Sequence, residues 1–166
     1  MRKLKLFIWI TLLLVIKITI INRIGYFNYA PDPLFAFAVA YAIIEEDFSY
    51  GVSVSVICGM CIGALSSVNF PVSVLFYGYS AVIITALKGK ARHIPNCVKT
   101  YIYTAVLSFA GSSAMYFVMN LSYDKSTVLT IILPYIICNV IAAVIIYPIV
   151  KKTLLIVDEK KKLIPE

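Results

Sequence analysis

VLTIILPYIICNVIAAVIIYPIV, residues 128–150, is long, apolar and free of any charge, and it closes against Lys151 and Lys152. About twenty such residues make an α-helix that crosses the roughly 30 Å hydrocarbon core of a bilayer. Asn139 and the prolines at 134 and 148 are its only interruptions, so the stretch reads as one membrane helix. The rest of the chain has the same character. Of 166 residues, 61% are hydrophobic and only 14% charged, too few to cover the surface of a soluble domain. The apolar residues come in runs rather than in the two-residue alternation of a membrane barrel, and in hydrocarbon a helix alone satisfies all its backbone groups within one segment.

Working back from that stretch, five more apolar segments emerge, at about 6–21, 33–48, 50–65, 72–87 and 100–119. The expected architecture is an all-α integral membrane bundle of six transmembrane helices over residues 1–152, followed by a short charged cytoplasmic tail at 153–166. The breaks are Pro31-Asp32-Pro33, Glu45-Glu46-Asp47, residues 66–71, the basic stretch 88–99 and residues 122–126. Asp32 and Pro33 have the chemistry of a helix start, a carboxylate N-cap followed by proline in the first turn. The segment they open has an apolar core that stops at Ile44, about 18 Å of helix, and a full crossing wants more. It either runs on through the acids or re-enters. The basic start at Arg2, Lys3 and Lys5 resembles a signal peptide, but the following run is too long and lacks a small-residue cleavage site, so it is read as a retained helix.

With six crossings, twelve bases fall on the side of the two termini, among them Lys88, Lys90, Arg92, Lys99, Lys151 and Lys152, whereas Arg23 and Lys125 fall opposite. That asymmetry places both termini in the cytoplasm. The net charge of +7 is therefore read as topology and contact with anionic lipid headgroups, not nucleic-acid binding.

Candidate chemistry is sparse. Cys58 and Cys61 form a C-x-x-C pair inside an apolar segment without a nearby histidine, which favours packing over metal binding. No cofactor or metal site is expected, and no nucleotide, protease or hydrolase motif is present, so an enzyme is not expected. Gly59 and Gly63 form a G-x-x-x-G step, suited to a close helix–helix seam inside the bundle or with a partner chain. Asn139 needs a hydrogen-bond partner on another helix. Lys17 stands alone within the first segment, with Asp32 and Asp124 as its acid candidates. Asp32 reads as an N-cap, or as a charge offered to a partner.

The order of these features resembles one family. Pro31-Asp32-Pro33-Leu34, the inner charged turn, Gly51, Gly59-x-x-x-Gly63-Ala64-Leu65 and Gly78-Tyr79 come first. The basic loop around Lys90 and Arg92, then Leu133-Pro134, Asn139, Tyr147-Pro148 and Lys151-Lys152 follow. Together they resemble the bacterial rod shape-determining protein MreD family over nearly the whole chain. The family often has an acid shortly after the glycine step; Ser66 stands there instead, so no role of that acid carries over. The resemblance implies a non-enzymatic protein of the bacterial cytoplasmic membrane. It would bind a single-span MreC-like protein and act with MreB filaments, RodA and its paired transpeptidase in peptidoglycan synthesis and rod shape. It also implies a fold similar to the six-helix substrate-binding subunits of energy-coupling-factor transporters, which makes capture of a vitamin the alternative. Asp32, Gly59, Gly63, Asn139, Tyr147 and Pro148 are then candidates for helix packing or a partner interface.

Overall fold

The computed structural model describes residues 2–21, 31–65, 70–90, 93–118 and 132–162. Arg92, Arg23, Asp124, Lys125, Met119, residues 128–131 and the end of the tail lie outside them. Among the described residues the chain is all-helical, with six α-helices: α1 (Arg2–Ile16), α2 (Pro33–Ile44), α3 (Phe48–Leu65), α4 (Phe70–Leu87), α5 (Asn96–Val118) and α6 (Leu133–Lys162). A π-helical turn, Lys17–Ile21, continues α1. Three helices are long and apolar enough to cross a membrane: Phe48–Leu65, Phe70–Leu87 and Leu133–Thr153. They point to a membrane location.

The second segment is shorter than the expected 33–48. α2 stops at Ile44 because Glu45 turns extended, with φ −70° and ψ 127°. Asp47 then opens α3, its Oδ1 accepting from the Ser49 amide at 2.8 Å, as an N-cap does. The acid triplet is thus divided: its first residue ends one helix and its last begins the next. The other bounds move less, except that α6 continues unbroken to Lys162 through the stretch expected as a tail.

The short helix is the centre of the molecule. Every residue from Leu34 to Ile43 is at most 5% exposed, and α1, α3, α4, α5 and α6 all pack against it. Its sequence, PLFAFAVAYAII, has no polar face to turn outward, as suits a helix enclosed on all sides. Enclosure bears on the short length expected from the sequence. A helix end inside the bilayer is tolerated where protein, not lipid, surrounds it. Phe35 stacks on Phe76 with ring centroids 5.1 Å apart and meets Tyr77 edge-on at 5.4 Å, which locks α2 to α4. Outward faces carry large apolar side chains such as Phe7, Leu75, Tyr79, Val106 and Ile145.

Gly59 and Gly63 let α3 and α4 touch backbone to backbone. A Cβ on Gly59 would lie 3.0 Å from the Ser73 carbonyl oxygen and 3.1 Å from Val74 Cα; one on Gly63 would lie 3.0 Å from Phe70 Cα. This seam is internal to the chain. On the far side of α4, the Phe76 ring fills the place a Cβ on Gly111 would take, 2.5 Å away.

Candidate functional site

The two ends of α2 gather most of the buried polar side chains. At its N-terminus Asp32 is 7% exposed. Asp32 caps the helix, its Oδ1 accepting from the Phe35 amide at 3.4 Å. The same oxygen pairs with Lys17 Nζ at 3.0 Å. The Tyr77 hydroxyl donates to Oδ2 at 2.5 Å, the short distance of a bond to a charged acceptor. The Asp32 amide donates to Asn139 Oδ1 at 2.7 Å, and Asn139 Nδ2 donates to Ser108 Oγ at 3.1 Å. One chain of bonds therefore joins α1, α2, α4, α5 and α6.

Each contribution has a local cause. Pro31 and Pro33 flank Asp32 and hold it extended, at φ −104° and ψ 90°, because a residue before proline is driven out of the helical region. Proline at 33 lacks an amide, so the helix start loses nothing there. Lys17 opens the π-helical turn. Burying a lysine or an aspartate alone is expensive; burying them as a hydrogen-bonded pair offsets most of that cost. Asn139, fully buried, uses both ends of its amide.

At the C-terminus of α2, Lys88 Nζ donates to the carbonyl oxygens of Ala42 (3.3 Å) and Glu45. A cation on the last carbonyls of a helix complements both their missing partners and the negative end of the dipole. Burial lowers the Lys88 pKa, against the opposing pull of Glu46. The Tyr41 hydroxyl donates to Glu45 Oε2 at 2.8 Å. Lys99, only 7% exposed, reaches the Lys88 carbonyl at 3.4 Å and Asn96 Oδ1 at 3.3 Å. Two lysines that the sequence assigns to a basic loop are thus built into the helix ends, while Lys90, Lys151 and Lys152 are exposed.

The remaining candidates lie apart from these centres. Tyr147 is buried and meets Tyr101 edge-on at 6.4 Å. Pro148 is exposed inside α6, which runs on through it. Cys58 and Cys61 are free thiols, and the described residues hold no group of three metal-ligating side chains. Sequence reading named Asp32, Lys17 and Asn139 but missed Tyr77 and Ser108. A hydroxyl on an otherwise apolar helix was their only signal. Chemically, the arrangement around Asp32 is a closed ionic hub: among the described residues no buried side-chain nitrogen or oxygen lacks a partner. The crevice beside it, between Phe35, Ala38, Ser55, Tyr77 and Ile84, is too narrow for a water molecule.

No protein-family model, no curated protein and no solved structure matches this chain.

Proposed function

We propose that this chain is a six-crossing membrane protein with both termini in the cytoplasm. In this reading it serves as a non-enzymatic scaffold of the bacterial cell-elongation machinery, of the kind the MreD resemblance implies. Its partner is a single-span MreC-like protein, and through it MreB filaments, RodA and the paired transpeptidase.

The observation that carries the reading is the closed hub at Asp32. The polar groups that a binding protein would aim at a ligand are here spent on one another, across five helices. Among the described residues, what remains for recognition is the outer surface of the bundle, which is broadly apolar. An apolar surface on an inert bundle suits a protein that holds another membrane helix. The crossings are supported by three long apolar helices. The twenty residues of α1 and its π-helical turn add a fourth, the length of α5 a fifth, and the enclosure of α2 the sixth.

Depletion of the protein is the test. Rounded cells, with an MreC-like single-span protein co-purifying with the tagged chain, are the expected result. Cells that stay rod-shaped but need more external vitamin would overturn it in favour of a transporter subunit.

A further inference from the structure

We propose that Lys17 is a two-position cation that latches α1 to the bundle: paired with Asp32 it docks the helix, and released to the outer lipid phosphates it lets the helix swing away. This rests on reading α1 as a membrane-crossing helix.

Three observations carry it. First, α1 is the least embedded element. Its buried side chains are Leu6, Ile10 and Leu13, one stripe at helical spacing, while Leu4, Phe7, Ile8, Leu12 and Val15 are exposed. Second, the Lys17–Asp32 pair is a polar link between α1 and the other helices at this end of the bundle; Thr19 bonds back within its own segment, to the Val15 carbonyl. The bonds among Asp32, Tyr77, Asn139 and Ser108 do not involve Lys17. α2, α4, α5 and α6 therefore stay joined by these bonds when α1 leaves, and the glycine seam holds α3 to α4.

Third, the depth is right for two positions. Lys5 marks the cytoplasmic end of α1, and the helix between it and Lys17 spans about 18 Å. In a hydrocarbon layer of about 30 Å, Lys17 then stands about 12 Å short of the outer edge. α2 rises about 20 Å from Glu45 to Asp32, so the two charges reach nearly the same height by independent counts. An ammonium at that depth has two ways to avoid hydrocarbon: a carboxylate beside it, or, once the freed helix shifts outward, an extended stem that brings it to the headgroups. Lys17 also opens a π-helical turn, a local widening that re-aims side chains and recurs at working sites in helices.

The chain carries its own reporter. Trp9 is the only tryptophan and packs half-buried against the core from α1. The full chain, reconstituted in brominated phosphatidylcholine vesicles, reports the position of α1 through quenching of Trp9 by lipid. Asp32→Asn keeps a capping side chain but strands Lys17, and should raise the undocked fraction about tenfold, since a buried charge that loses its partner is strongly destabilising. Lys17→Met/Asp32→Asn removes the stranded charge and should return the quenching towards that of the parent chain. Unchanged quenching in Asp32→Asn overturns the latch, as does equal quenching in the single and double variants, which would mean that Asp32 only braces the fold. Flotation with the vesicles tests the membrane reading separately: a chain that floats while Trp9 stays unmoved loses the latch alone.

Discussion

Asn139 makes two hydrogen bonds from a fully buried site, one to the Asp32 amide and one to Ser108. Replacing it with leucine keeps the size and strands both partners. A buried donor left unpaired costs about 1–3 kcal/mol, so Asn139→Leu should unfold that much more easily in detergent titrations. Ser108→Ala should add little in the Asn139→Leu background, because the two share one bond. Tyr77→Phe removes the donor to Asp32 Oδ2 alone and should cost about 1.5–3 kcal/mol, the range for a bond to a charged group. Unfolding midpoints of the three variants check all of this. The sequence showed that Asn139 needs a partner and that Asp32 begins a helix. It could not show that the partner is the Asp32 backbone, because the two are 107 residues apart and an amide on an apolar helix carries no mark of the direction it faces.

The seam between α3 and α4 depends on absent side chains. Gly63→Ala puts a methyl group against the Phe70 backbone, which cannot yield without parting the helices. Overpacking of this kind costs about 1–3 kcal/mol. Gly89 has open space where its Cβ would be, and Gly89→Ala should leave stability unchanged; thermal unfolding of the pair in detergent separates seam from turn. At the C-terminal end of α2, Lys88→Met removes the donor to Ala42 and Glu45 and should cost about 1–2 kcal/mol. The glycine step was legible because close helix packing needs small residues at that spacing. The capping role of Lys88 and Lys99 was not, since a basic loop and a basic cap are written with the same residues.

At the scale of the molecule, the short second segment looked like the weak point of the bundle and is its axis. Length alone suggests an imperfect crossing; the informative feature is a twelve-residue run with no polar face, which only enclosure on every side can satisfy. That enclosure has a consequence in time. The ribosome makes α2 early, yet the group that satisfies the Asp32 amide arrives only with the last helix, and the neighbours that shield α2 come one after another in between. Until α6 emerges, the nascent chain holds a short apolar helix with an open N-terminus and incomplete cover, a state exposed to quality-control proteases. A chain terminated before Asn139 should therefore be cleared rapidly, whereas one terminated after Lys152 should persist; pulse-chase turnover of the two truncations reads the difference. The central helix is thus made early and completed last.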